Sequence, residues 1–355
     1  MSLHAAVIGA AGHVGGELCR LLLGHPDIAR ISPTSRASAD FERVHGHLEG
    51  CGLRFTPFEQ LGDVDVAFFC TPAGEAMRHA AALLERGVRV IDLSPDFRFA
   101  DPDVYEQVYG RPHADRHLLT MAACGITELH RPAVAAAALV ANPGCYVITA
   151  ALALTPLLEH GAIDLGAPLH LHAINGTSGA GSTPRAEILH ANVAGSVLPY
   201  SLDGHRHGPE LEARLGEISG REVGVSLTTA HGDFARGIHF QASVPLARDL
   251  SRDAMLEIYR ERYGCGHDVE HFVLVNDHRA SATQNEKVYD IYPQMRDVVG
   301  SNFCRIGLDR DRRSMVARVV AVTDNLVKGA AGSALQNMNV MLGLDETSGL
   351  RSYAL

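Results

Sequence analysis

The chain opens on a strand-like run, Ala5-Ala6-Val7-Ile8, that passes directly into Gly9-Ala10-Ala11-Gly12-His13-Val14-Gly15-Gly16 and then into the helical pattern Glu17-Leu18-Cys19-Arg20-Leu21-Leu22-Leu23. Strand, glycines three apart, then helix is the opening of a βαβ unit. Glycine at 9 allows a tight turn, glycine at 12 lets a pyrophosphate approach the backbone, and glycine at 15 lets the helix pack closely on the strand. The spacing is Gly-x-x-Gly-x-x-Gly rather than the commoner Gly-x-Gly-x-x-Gly, so its weight comes from its place between a strand and a helix. Gly9, Ala11, Gly12, His13, Val14 and Gly15 are read as the phosphate-facing loop. The acid that usually holds a ribose hydroxyl about twenty residues on is missing, and the second strand, from Ile28 to Ser32, leads to Thr34-Ser35-Arg36 instead. Hydroxyls and a guanidinium suit a 2'-phosphate, which favours NADP over NAD through Ser35 and Arg36. The competing reading of Arg36 is a solvated loop residue.

Further buried-type strands are expected at 64–70 and 88–94, with an Ala-rich helix at 74–86 between them. This alternation predicts a Rossmann-type, doubly wound parallel α/β sheet over residues 1–145. Past residue 145 the texture changes. Strands are expected at 169–174, 223–228, 239–244, 271–275 and 315–322, with alternating character that predicts an α+β domain on a mostly antiparallel sheet over 146–322. The run from Asp324 to Met338 reads as a helix rich in small residues, and 323–355 is expected to return to the first domain.

With 355 residues, 46% hydrophobic and 20% charged, the chain is long enough for two cores. Its formal charge of -10, from 41 acids against 31 bases, argues against a nucleic-acid surface but leaves room for a local anion pocket. No window reaches the roughly 18 apolar residues of a membrane span, and no secretory leader is read, so a cytoplasmic location is expected. The seven cysteines are scattered and never paired as Cys-x-x-Cys, which indicates neither a disulfide framework nor a zinc cage. Among twenty histidines only His205-Arg206-His207 forms a tight pair, and it has no ligand partner at metal-binding spacing. No metal is expected.

The chemistry is placed at Cys145. It follows the turn Asn142-Pro143-Gly144 and leads into the apolar run from Tyr146 to Leu152. A thiol at a helix start lies near unpaired N–H groups and the positive end of the helix dipole, which favours thiolate. The competing reading is a small buried hydrophobe. The segment Asn175-Gly176-Thr177-Ser178-Gly179-Ala180-Gly181-Ser182 is read as a glycine and hydroxyl loop able to offer N–H and O–H donors to an anion, against the alternative of a plain surface loop. Arg206 and Arg236 are candidates to hold phosphate or carboxylate, with ordinary salt bridges as the rival. Without further context, His205 and His207 read as exposed surface residues.

Six ordered segments together resemble the N-acetyl-gamma-glutamyl-phosphate reductases of the aspartate-semialdehyde dehydrogenase group: 9–16, 94–98, 142–146, 177–181, 205–207 and 324–332. The resemblance covers nearly the whole chain. It implies a Rossmann domain completed by the C-terminal helix, a central substrate domain, and a homodimer or homotetramer. It implies Cys145 as nucleophile, His207 or His205 as acid/base, Ser178, Gly179, Asn325 and Lys328 beside the cofactor, and Asn142, Arg206, Arg236 and Ser182 beside the substrate. The implied reaction is NADPH-dependent reduction of an acyl phosphate to an aldehyde through a cysteine thioester, a step of arginine biosynthesis. Departures fall on the substrate side: Ser182 stands where an arginine is common, and His231-Gly232-Asp233 replaces the usual approach to Arg236-Gly237-Ile238. Together with the run from Gly195 to Tyr200, they leave open a branch whose glutamyl or aminoadipyl phosphate is carried on a small acidic amino-group carrier protein. A non-catalytic NADP-binding sensor is the remaining alternative.

Overall fold

The computed structural model describes residues 2–36, 40–277, 292–311 and 313–355. They divide into two compact units: residues 1–144 with 329–351, and residues 145–328 with 352–355.

The first unit is built on six strands: β1 (Leu3–Ile8), β2 (Ile28–Thr34), β3 (Val66–Phe69), β4 (Arg89–Asp92), β5 (Ala123–Cys124) and β6 (Leu139–Ala141). They lie in the order β2-β1-β3-β4-β6-β5, and every pairing is parallel. The Val-Ala-Phe-Phe sequence of β3 is buried throughout, as a strand covered on both faces requires. Helix His13–Leu23 follows β1 and buries Leu18, Cys19, Leu21 and Leu22 against it. The Ser94-Pro95-Asp96 turn after β4 serves the packing of this unit, because buried Asp96 accepts N–H groups of Gly74 (2.7 Å) and Met77 (3.1 Å) and the Tyr105 hydroxyl (3.0 Å). It thereby fixes the start of helix Ala76–Glu85.

The run from Asp324 is not helical from its beginning. Residues 324–326 are irregular, Val327–Ala331 forms a π turn, and the α-helix spans Gly332–Met341. Asp324 Oδ1 accepts the N–H groups of Leu326 (2.8 Å) and Val327 (3.2 Å), so the side chain caps a helix that starts after it. Helix Gly332–Met341 belongs to the first unit, where buried Asn337 donates to the carbonyl of Gly125 (3.0 Å) and to Asn142 Oδ1 (3.1 Å) and accepts from Thr127 (2.7 Å).

The second unit carries β7 (Leu169–Asn175), β8 (Val197–Tyr200), β9 (Val225–Gly232), β10 (Ile238–Pro245), β11 (Val273–Asn276), β12 (Cys304–Arg310) and β13 (Val316–Thr323). Their order is β11-β12-β13-β10-β7-β9-β8, with β7/β9 and β11/β12 parallel and the other neighbours antiparallel. β9 and β11 begin two residues later than the alternation suggests. Helix Cys145–Glu159 is apolar on all sides and buried almost throughout, the pattern of a core helix. Register gathers several strand ends at one place: Ile238 pairs with both Asn175 and Thr323, and Asn175 pairs with His231.

Candidate active site

Cys145 is the first residue of helix Cys145–Glu159 and is partly exposed, so the thiol lies at the positive end of a fifteen-residue helix. All seven cysteines are thiols. The helix start is tied to the sheet by Thr149, whose hydroxyl bonds the Cys145 carbonyl (2.9 Å) and the Thr323 hydroxyl (2.8 Å). Asn175, the last residue of β7, directs its amide Nδ2 to the Cys145 sulfur at 3.9 Å. The loop after it is shaped by close approaches. A Cβ on Gly176 would lie 2.5 Å from the Ala235 carbonyl oxygen, and one on Gly179 would lie 2.0 Å from Asn175 Nδ2.

This loop does not present its backbone donors as the sequence suggests. The N–H groups of Gly176, Thr177 and Ser178 donate to the carbonyls of Gly237, Phe234 and Ala235, and those of Gly179 and Gly181 donate within the loop. These donors are spent on folding a compact turn against residues 234–237. Among the described residues, Asn175 is the side-chain donor that the loop region brings to the sulfur.

The two histidines are not exposed surface residues. His207 is 5% exposed at the start of helix His207–Ser219, and His205 is partly buried, because both pack against Tyr146, with ring centroids 5.6 and 5.5 Å away. Burial, reinforced by Arg206 and His231, pushes the His205 pKa down to about 4, so the ring is neutral near pH 7. Its Nδ1 accepts the His207 backbone N–H at 3.1 Å, which leaves the hydrogen of the neutral ring on Nε2. Tyr146 and Tyr200 share a hydroxyl hydrogen bond of 2.8 Å, and His231 stacks on Tyr200 at 4.5 Å and 8°. Burial pushes the Tyr200 pKa up to about 12 and the Tyr146 pKa well above its ordinary value.

Of the other sequence candidates in this unit, Arg206 and Ser182 are exposed. Arg236 is paired through Nε (3.1 Å) and Nη2 (3.0 Å) to Asp324 Oδ2. Asn325 is buried and bridges the Ser178 hydroxyl (2.9 Å) and the Gly237 N–H (2.8 Å). Lys328 is 1% exposed, its ammonium 5.6 Å from the Phe272 ring centre. Asn142 lies in the first unit, buried and held by Asn337.

The first unit contains a cradle of its own. Gly9 has φ +85°, and a Cβ there would meet the Cys70 carbonyl oxygen at 2.5 Å. One on Gly15 would meet the Ala10 Cα at 2.6 Å, whereas one on Gly12 meets only the Gly9 oxygen, at 3.8 Å. The loop is thus closed behind and open in front. Buried His45 braces it, its Nε2 donating to the Ala10 carbonyl at 2.8 Å. Ala11 lines the cavity beside Gly9, while His13 and Val14 open the helix, His13 exposed. A cavity of about 640 Å³ adjoins the loop, lined among others by Gly9, Thr34, Ser35, Arg36 and Glu75. Its size and donors fit the adenosine half of a dinucleotide, and the Arg36 guanidinium stands 3.6 Å from Glu75 at its rim.

Comparison with known proteins accounts for both cradle and thiol. The model of the semialdehyde dehydrogenase NAD binding domain matches residues 4–137, and that of the semialdehyde dehydrogenase dimerisation domain matches residues 145–325. The chain belongs to the semialdehyde dehydrogenase family. As a member, it is an oxidoreductase that binds a nicotinamide dinucleotide and carries the family's dimerisation domain. Among relatives, an N-acetyl-gamma-glutamyl-phosphate reductase of Nitrosococcus oceani is 38% identical, with 99% of each chain covered. A protein of Cenarchaeum symbiosum named "Putative LysW-L-2-aminoadipate/LysW-L-glutamate phosphate reductase" is 39% identical over 98% of each. The fold is that of aspartate semialdehyde dehydrogenase II from Vibrio cholerae, with a TM-score of 0.71 at 16% identity, covering 97% of this chain and 99% of that one. No helix among the described residues is long and apolar enough to cross a membrane.

Tyr146, Asn175, Tyr200 and His231 were not among the sequence candidates. Tyr146 adjoins Cys145 and Asn175 ends a strand before a glycine, signals too common to single either out. Tyr200 and His231 meet through the β8/β9 register, which no local pattern encodes.

Proposed function

We propose that this semialdehyde dehydrogenase reduces N-acetyl-gamma-glutamyl phosphate with NADPH, giving N-acetylglutamate semialdehyde and phosphate. The observation that carries the proposal is the Cys145 thiol at a helix N-terminus, with the Asn175 amide 3.9 Å from its sulfur. The thiolate attacks the acyl carbon, the tetrahedral oxyanion collapses, and the C–O bond to phosphate breaks to leave a thioester on Cys145. Asn175 Nδ2 donates to the oxyanion as charge develops on it. The neutral His205 ring, with hydrogen on Nε2, suits donation to the same oxygen, while His207 takes the thiol proton and returns one when the sulfur departs. Arg236 and Arg206 hold the phosphate and the carboxylate. When bound, the nicotinamide cofactor supplies the hydride that converts the thioester to the aldehyde. Gly9 to Gly15 hold its pyrophosphate against the N-terminus of helix His13–Leu23, Ser35 and Arg36 take the 2'-phosphate, and Ser178, Gly179, Asn325 and Lys328 shape its nicotinamide side. The first unit binds the dinucleotide, the second the acyl group, and the second also pairs two copies.

Substitution of Cys145 by serine is expected to lower turnover by about 10³-fold or more while leaving NADPH binding intact. Retained turnover removes the thioester route. A second reading, in which the acyl group is attached to an amino-group carrier protein, is favoured by Ser182 and His231-Gly232-Asp233 and by the name of the Cenarchaeum relative. Reverse-direction turnover of N-acetylglutamate semialdehyde with phosphate and NADP separates the two: activity supports the small metabolite, and silence with activity on a carrier-linked semialdehyde supports the second.

A further inference from the structure

Asp324 and Asn325 sit where β13 ends, beside the ends of β7 and β10, and together they lock three loops. Asp324 is fully buried, and five donors converge on its two oxygens: the N–H groups of Leu326 and Val327 on Oδ1, and the Gly300 N–H (2.7 Å) with Nε and Nη2 of Arg236 on Oδ2. Two bonds from one guanidinium to one carboxylate oxygen fix the plane of the guanidinium, which a single bond would leave free to swing. The Arg236 side chain remains 23% exposed while its partner is not exposed at all. The neighbouring residue acts on the same loops. Asn325 joins the Ser178 hydroxyl to the Gly237 N–H, and Gly237 holds φ +113°, a conformation other residues rarely adopt. Helix capping alone would need only Oδ1 of Asp324. Its second oxygen is committed to the one arginine that stands in the loop packed against residues 176–178.

We propose that Asp324 is a positioning residue: it holds the Arg236 guanidinium in the orientation that receives the anionic phosphate of the substrate, and Asn325 keeps the Ser178 and Gly237 loops in register with it. This assignment rests on the proposed reaction and adds to it the residue that sets phosphate affinity.

A double-mutant cycle in the phosphate-dependent reverse reaction tests it, using the full-length enzyme with inorganic phosphate as the varied substrate. Asp324→Asn and Arg236→Gln are each expected to raise the phosphate KM about tenfold, and the double variant should be no worse than Arg236→Gln alone. The NADP KM and the rate of Cys145 alkylation by iodoacetamide should stay at wild-type values in all three. Additive effects, an unchanged phosphate KM in Asp324→Asn, or a parallel rise in the NADP KM would each overturn the assignment. Should Asp324→Asn fail to accumulate as folded protein, Asp324→Glu keeps the charge but displaces it by one methylene, and the same cycle with the same criteria applies. A wild-type enzyme silent on phosphate overturns the reaction and this assignment together. An active wild type with additive variants overturns only this one.

Discussion

A sulfur becomes a useful nucleophile when its charge is supported and its product's charge is accommodated. Cys145 meets the first condition through its place at a helix start, a position legible in the sequence because Asn142-Pro143-Gly144 and the following apolar run are contiguous. The second condition depends on residues brought from afar. Asn175 arrives at the end of β7, and Tyr200 and His231 arrive through the pairing of β8 with β9, so no window of sequence contains them together. His205 was legible as an acid/base candidate, but its burial was not, and burial decides which role it can play. A ring held neutral, with Nδ1 occupied, donates through Nε2. Replacing His205 by alanine is therefore expected to lower kcat/KM by roughly 10²-fold or more, while the pH profile of Cys145 alkylation stays where it is. A shift of that profile instead would place His205 in activation of the thiol.

Among elements, the first strand, its glycine turn and its helix were readable because their geometry is dictated by neighbours a few residues away. The steric reason behind each glycine is more specific than the pattern. Gly9 needs a positive φ, and Gly15 needs the absence of a side chain where the helix crosses Ala10. Alanine at 15 should cost about 1–3 kcal/mol of stability and raise the NADPH dissociation constant at least tenfold, both measurable by thermal melts with and without the dinucleotide. A melting temperature and affinity equal to wild type would show that helix His13–Leu23 can shift freely. The C-terminal run was harder to read. Helical periodicity extends back to Asp324, but that side chain bonds the backbone ahead of it, and a π turn intervenes before the α-helix begins.

For the molecule as a whole, buried histidines set the response to acid. Burial holds His45, His113, His205, His231 and His239 below the ordinary histidine pKa, His205 at about 4. Between about pH 6.5 and pH 4 the unfolded chain binds protons at these sites that the folded chain does not, so stability falls as pH falls through that window. Asp92 works in the opposite sense. Burial raises its pKa to about 7, so the folded state holds a proton there that the unfolded state releases above about pH 4. Five groups against one predict a net loss, and the melting temperature should drop steadily from pH 7 to pH 5. A flat or rising profile would mean that these rings become solvated without unfolding. The two-sheet class was legible from alternating elements in the first half and period-two strands in the second. The assignment of helix Gly332–Met341 to the first unit rests on buried pairs such as Asn337 with Asn142, which span nearly two hundred residues.

That assignment has a consequence for how the protein is made. A ribosome releases residues 1–144 early, yet the segment that fills out their core is among the last to emerge, after the whole of the second unit has been synthesised. The nascent N-terminal half must wait, its apolar groove uncovered, until translation ends, so the newborn chain should depend on chaperones more than its mature stability would suggest.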